Sequence, residues 1–277
     1  MHILVQLKEG NNHVGILTSH YYLLTPVLMR FFFEISYNGT NYHGWQNQLN
    51  AVGVQHVVED ALSKLLHEKI EIVASGRTDA GVHCLQQFFH VDTEKEFDKV
   101  PFLIRLNSFL PKDIAIADVR SVKPEAHARY DARERAYEYR ITRVKDPFLV
   151  GFAFYFFRDL DIPTMNEAAA LLIGMHDFQC FSKVKTDVNH FDCDIKRAQW
   201  NQKDDLLVFS IVANRFLRGM VRAIVGTLLD VGTGKITIQD FEKIIQSKDR
   251  KRAGMNVPPE GLYLKSVMYP KSVFIKK

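Results

Sequence analysis

The residues of this chain best suited to chemistry lie in one short stretch, Ser75-Gly76-Arg77-Thr78-Asp79-Ala80-Gly81-Val82-His83. Two glycines bracket an Arg-Thr-Asp triplet, so the backbone can turn tightly and hold short polar side chains at the rim of a sheet. A carboxylate held beside a guanidinium stays ionised at neutral pH, the state that a nucleophile or general base requires. The same residues also read as a surface turn with a local ion pair, because paired charges are often purely structural. What the rest of the chain brings to this loop decides between the two.

Two further groups of residues bear on that choice. The run from Ala126 to Ile141 interleaves Arg129, Arg133, Arg135 and Arg140 with His127, Tyr130, Tyr137 and Tyr139. Its second half alternates as a strand does and puts Arg135, Tyr137 and Tyr139 on one face. Basic and stackable groups in this arrangement suit a nucleic-acid backbone and its bases, although a solvated edge strand would look similar. Farther along, Arg218 and Arg222 stand one turn apart on a helix whose apolar stripe is Leu217, Met220, Val221, Ile224, Val225, Leu228 and Leu229. Arg222 falls at the margin of that stripe, where a guanidinium either reaches across to a carboxylate or snorkels to water.

Composition narrows the classes of function. The chain has 277 residues, 25% of them charged and 47% hydrophobic, and a net charge of +4. This is enough for one large or two ordinary globular units, and the charge permits a polyanionic partner without requiring one. Cys84, Cys180 and Cys193 are scattered, so neither a disulfide framework nor a thiolate zinc site is expected, and a reducing cytoplasm is the simplest location. The histidines form no tight ligand cluster, and no metal or other cofactor is expected. No apolar run reaches the roughly 18 residues a membrane span needs. Residues 1–28 lack a basic region ahead of their short apolar run and read as a dispensable extension or a misplaced start before Met29.

The elements that must position these groups follow from periodicity. Strands are expected at 31–37, 70–74, 85–92, 114–119, 194–201, 206–213 and 261–268. Helices are expected at 54–66, near 97–107 and 163–173, at 217–229 and near 237–247. The apolar offsets of the helix at 54–66 recur in the helix at 217–229, which hints at two similar halves. The fold class expected is α+β: two similar α/β halves, 29–135 and 136–277, with mainly antiparallel sheets joined side by side. Helices would cover the outer face and the catalytic cleft would lie between the halves.

From about Arg30 to Tyr269 the chain resembles the tRNA pseudouridine synthases of the TruA type. The resemblance rests on Tyr37-Asn38-Gly39-Thr40 with Tyr42-His43-Gly44-Trp45-Gln46, on the loop at 75–84, and on Leu106-Asn107 with Leu110-Pro111. It continues through residues 127–141, Gly174 with His176-Asp177-Phe178, residues 213–235 and Gly261-Leu262-Tyr263-Leu264. It implies an isomerase that converts uridine to pseudouridine in the anticodon stem-loop of tRNA, at about positions 38 to 40, without a cofactor. It also implies a homodimer across which the tRNA lies.

By the same resemblance Asp79 is the essential carboxylate, acting on the sugar C1′ or on the base. Tyr137 is the active-site tyrosine that stacks on the uracil and can relay a proton. Arg222 pairs with Asp79, Arg77 enters the space left by the flipped nucleotide, and Leu262 backs the base. From the basic character of the run itself, Arg129, Arg133, Arg135 and Arg140 are consistent with phosphate contacts, the first three being taken as substrate-binding residues. Gly219 departs from the family, which often has histidine there, and as a glycine inside a helix it would cost up to about 1 kcal/mol. The loop Val257-Pro258-Pro259-Glu260 also differs in detail. The alternatives are a non-catalytic RNA-binding homologue, a synthase acting on another RNA site, and a hydrolase using Asp79 and His83 around a metal.

Overall fold

The computed structural model describes residues 28–183 and 188–275, so the expectation for the segment 1–28 falls, except for Leu28, outside the described residues. In chain order the elements are β1 (Met29–Tyr37), α1 (Val54–Leu66), β2 (Val73–Ala74), β3 (His83–Thr93), α2 (Lys99–Phe109) and β4 (Ile114–Ser121). Then come β5 (Glu134–Thr142), β6 (Phe154–Tyr155), α3 (Ile162–Ala170), β7 (Gly174–Asp177), β8 (Asp192–Lys203) and β9 (Leu206–Ala213). The last are α4 (Met220–Gly232), α5 (Ile238–Ser247) and β10 (Leu262–Met268).

All the strands join one ten-stranded sheet in the order β4-β1-β3-β10-β5-β9-β8-β7, with β2 on β3 and β6 on β5. Pairing is antiparallel apart from β10 with β3 and β6 with β5. The halves repeat one plan. In each, a β-α-β-β-α-β succession lays its fourth strand beside its first and its second beside its third, as in the split βαβ unit. The first half gives β4-β1-β3-β2 and the second β10-β5-β9-β8.

The seam between the halves is one edge of β3. The far end of β3 takes β2, at Phe89 and His90, and the near end takes β10, at His83 and Cys84. The C-terminal strand is therefore wedged between β3 and β5.

Two hydrophobic cores lie on either side of this seam. One gathers Phe32, Phe33, Trp45, Leu62 and Phe89; the other gathers Tyr139, Phe178, Trp200, Phe209, Ile224 and Phe241. β10 serves both, with Leu262 in the second core and Leu264 and Val267 in the first. Tyr137 packs against both as well. Helix α1 buries Val54, Val58, Ala61, Leu62, Leu65 and Leu66, the residues its three- and four-residue spacing selects. Each of these valines and leucines contributes about 1.5–3 kcal/mol when fully buried. Helix α4 is covered more completely, because α3 and α5 both pack against it.

One expected strand shortens. Residues 70–74 pair only at Val73–Ala74, because α1 supplies the earlier hydrogen bonds. The Ile70 N–H donates to Ser63 Oγ at 2.9 Å and the Ile72 N–H to Glu59 Oε1 at 3.0 Å. Among the described residues no helix is long and apolar enough to cross a membrane.

Candidate active site

The loop between β2 and β3 is fixed from below by a chain of buried polar side chains. Ser75, Thr78, Gln87 and Tyr37 are all buried. The Gln87 amide donates to the Tyr37 hydroxyl at 3.2 Å, and that hydroxyl meets Thr78 Oγ1 at 2.8 Å. Ser75 Oγ donates to Gln87 Oε1 at 3.4 Å, and the Ser75 N–H to the Phe88 carbonyl at 2.7 Å. Satisfied buried polar groups of this kind favour one geometry, because any other leaves a desolvated donor or acceptor. With Thr78 pinned inward, Arg77 and Ala80 are exposed and Asp79 is partly so.

The segment after β1 cradles the loop from the side. The Trp45 N–H donates to the Thr78 carbonyl at 3.1 Å, and the Gly81 N–H donates to the Tyr42 carbonyl at 3.2 Å. Gly44 has a φ of +87, and a Cβ there would sit 2.4 Å from the Thr78 oxygen. Only glycine allows that approach.

His83 closes the loop. Its ring is buried, accepts from the Gly39 N–H at Nδ1 (3.1 Å), and donates from Nε2 to the carbonyls of Gly151 (2.9 Å) and Glu260 (3.2 Å). It stacks on Tyr263 at 4.6 Å and Phe152 at 5.5 Å. These partners require a neutral imidazole with its proton on Nε2. Burial pushes its pKa below the ordinary value, with the Arg140 charge adding to that and the two carbonyls opposing it. Both nitrogens are committed to backbone, which leaves neither for a metal or for base catalysis. The hydrolase alternative loses its second group here.

Asp79 opens into a cleft of about 500 Å³ whose other charged lining groups are cations: Lys183, Arg218, Arg222 and Arg250. Asp79 Oδ1 lies 3.7 Å from Arg218 Nε, with the two side chains 32% and 60% exposed. Arg222 was expected as the ion-pair partner; it lines the same cleft, but its Nε donates to the Val257 carbonyl at 2.6 Å. In return the Val257 N–H donates to the Arg222 carbonyl at 3.3 Å. These two bonds bind the start of α4 to the segment ahead of β10. Arg218, just ahead of the Gly219 cap of α4, is the guanidinium that meets the carboxylate, and the Lys183 N–H donates to its carbonyl at 3.0 Å. The N-terminal end of α4 faces the cleft, a favourable place for negative charge.

Gly219 corrects a second expectation. It is the cap ahead of α4, with a φ of +72, rather than a residue inside the helix. At that backbone conformation glycine is the residue of least strain, so the helix-interior penalty does not apply.

Tyr137 lies at the seam, partly buried, with its ring 5.0 Å from Phe216 in an edge-to-face contact. Burial pushes its phenol well above the ordinary range, and the negative charge of Asp79 adds to the rise in smaller part. It is a neutral phenol at pH 7. Leu262 is buried in the second core, opposite Tyr139 in the β10–β5 register. Neither Leu262 nor the exposed Arg77 lines the Asp79 cleft.

Of the expected phosphate contacts, Arg129 and Arg133 are exposed. Arg135 is different. Its Nη1 donates to the carbonyls of Ala132 (3.0 Å) and Asn214 (2.9 Å), and its Nη2 to those of Ser75 (3.0 Å) and Arg129 (2.7 Å). With both terminal nitrogens spent on backbone, Arg135 braces the structure instead of meeting a phosphate. Sequence reasoning missed this because a partly buried arginine and an exposed one look alike in an alternating strand. It also passed over Lys183 and Arg250. Arg250 sat in view within a basic loop, but only the return of that loop to the cleft wall gives it a role. Its guanidinium is held there by Ala253, Gly254 and Asn256.

The family described as tRNA pseudouridine synthase matches residues 35–131 and 168–270. That match takes in the Asp79 loop and Arg222 and leaves Tyr137 in the interval between its two parts. A protein named tRNA pseudouridine synthase A from Porphyromonas gingivalis is 48% identical over 252 residues, 90% of this chain and 100% of that protein. One of the same name from Bacteroides thetaiotaomicron is 46% identical over 250 residues, 89% of this chain and 93% of that protein. Another, from Caldicellulosiruptor saccharolyticus, is 40% identical over 242 residues, 85% of this chain and 97% of that protein.

Proposed function

The chain belongs to the tRNA pseudouridine synthase family, and on that premise we propose that it isomerises uridine to pseudouridine in the anticodon stem-loop of tRNA, at about positions 38 to 40. The supporting observation is a single carboxylate, Asp79, on a locked loop in a cleft whose other charged groups are cations.

The reaction breaks the C1′–N1 bond of the nucleotide, turns the freed uracil and joins C1′ to C5; C5 then gives up its proton while N1 gains one, so the product is an isomer of the substrate. Atoms are rearranged and nothing is oxidised or reduced. Asp79 acts on the flipped nucleotide, at the sugar C1′ or at the base, and either route requires the carboxylate to be held still while the base turns. The Tyr37–Thr78 contact beneath the loop provides that restraint. Tyr137, a neutral phenol at the seam between the halves, offers a ring for the uracil to stack on and a hydroxyl that can relay the C5 proton. The surrounding cations accept the phosphates that flank the target. Arg77, exposed at the loop tip, fills the space the nucleotide leaves, offsetting a few kcal/mol of unstacking. Two copies of the chain hold one tRNA, in the cytoplasm.

The test is turnover by Asp79→Asn. Pseudouridine formation should fall below detection while tRNA binding stays within a few-fold of the wild type. Substantial residual turnover would remove Asp79 from the chemistry. Wild-type binding without any pseudouridine would favour the non-catalytic reading. Mapping pseudouridine in tRNA from cells with and without the gene checks the substrate, and an unchanged anticodon arm would overturn it.

A further inference from the structure

We infer that Tyr130, together with Arg129, is a stacking platform for an unpaired base of the RNA beside the one that reacts. This rests on the proposed RNA substrate and adds a binding residue that the reaction itself does not call for.

Tyr130 is 75% exposed, an unusual state for a large aromatic ring. Its surroundings show why it does not simply turn inward. The Arg129 and Tyr130 N–H groups both donate to His127 Nδ1, at 3.1 and 3.3 Å, and the His127 N–H donates to Asp131 Oδ2 at 2.7 Å. The His127 ring packs against Tyr130 at 4.3 Å, which fixes one side of the phenol and leaves the rest to solvent. Arg129, also exposed, places its guanidinium 5.8 Å from the centre of the same ring. The turn is therefore a rigid mount that presents a ring and a cation together.

The mount is also tied to the catalytic loop. Arg135 Nη2 donates at once to the Arg129 and Ser75 carbonyls, so the turn at 127–131 and the loop that carries Asp79 are held side by side by one nitrogen. An exposed ring and a cation at a fixed offset from a carboxylate that acts on a flipped nucleotide suit a neighbouring base and its phosphate. Base–aromatic stacking is tolerant of sequence, and an adjacent arginine adds cation–π and phosphate attraction.

The experiment measures the affinity of an RNA stem-loop carrying the target uridine in its loop, with each other loop nucleotide replaced in turn by an abasic residue. Tyr130→Ala should weaken binding about 10-fold or more, while Tyr130→Phe binds within about two-fold of the wild type. At one loop position the abasic replacement should cost the wild type a similar factor and cost Tyr130→Ala nothing further. The melting temperature of Tyr130→Ala reports whether the fold survives, and the abasic series on the wild type stands without any variant. Wild-type affinity for Tyr130→Ala would overturn the inference. So would equal weakening by Tyr130→Phe, which would make the hydroxyl the contact, or additivity at every abasic position. Failure of the wild type to form pseudouridine in this stem-loop would count against the proposed function instead.

Discussion

The two arginines at the start of α4 divide tasks that sequence reasoning had given to one. Arg222 is spent in part on the Val257 carbonyl, whereas Arg218 is 60% exposed and 3.7 Å from Asp79. An ion pair that open to solvent adds little to stability, roughly 0–1 kcal/mol, but it can orient a reacting group. Arg218→Ala should leave the melting temperature nearly unchanged and lower kcat about 10-fold, a barrier increase of about 1.4 kcal/mol. Arg222→Ala should lower both, since it also unties α4 from the segment before β10. Steady-state kinetics and thermal melts on the pair decide this, and an unaffected kcat for Arg218→Ala would show the contact to be idle. At this scale the sequence pointed to Asp79 and Arg222, which line one cleft. It could not reveal which guanidinium comes nearest. The sequence pattern puts both on one helical turn, whereas the positive φ of the Gly219 cap takes Arg218 out of the helix, and Arg218 is the one that meets the carboxylate.

The elements that hold the site depend on neutral histidines. His90, buried in β3, accepts from the Ala128 N–H at 3.1 Å, and burial drives its pKa down to about 4. His83 is lowered as well, for the same main reason. A folded state that binds these protons more weakly than the unfolded chain is fully stabilised above the unfolded value of about 6.5, and loses that stabilisation as pH falls toward 4. The melting temperature should accordingly drop through this window, with His90 contributing on the order of 2 kcal/mol. His90→Asn retains an acceptor for Ala128 and should flatten the pH dependence; an unchanged profile would remove His90 from it. The elements were largely legible in the sequence. Helix α1 begins and ends where its apolar spacing does. Strand 70–74 was over-read because Ser63 and Glu59, side chains on α1, satisfy backbone that periodicity alone assigns to a sheet partner.

Across the whole molecule a net charge of +4 is modest, so affinity for RNA must come from where the cations stand. Lys183, Arg218, Arg222 and Arg250 line the cleft, and Arg129 and Arg133 are exposed. Binding should weaken as salt rises, with a log–log slope of about −0.7 to −0.9 per phosphate neutralised. Arg129→Ala should reduce that slope by about one. Arg135→Ala should leave the slope alone and lower the melting temperature, because its donors serve four carbonyls. The reverse pattern in a salt titration would restore Arg135 as a phosphate contact. Two similar halves were foreseen from one recurring helical pattern, but the way they join was not. A strand reads the same whether it lies at an edge or at the centre, and nothing in residues 262–268 announces that they pair with 83–84.

That join has a consequence for how the protein is made. Chains emerge from the ribosome in sequence order at about 5–20 residues per second, so β10 appears on the order of ten seconds or more after β3. The first core can gather early, yet the near end of β3 must wait with an open edge, the kind of surface on which other strands add. Because the Glu260 carbonyl that His83 donates to arrives in the same late segment, the hydrogen bonds that close the Asp79 loop are completed only then. Before β10 is translated, a nascent chain holds the residues of the cleft but lacks the strand that joins the two halves.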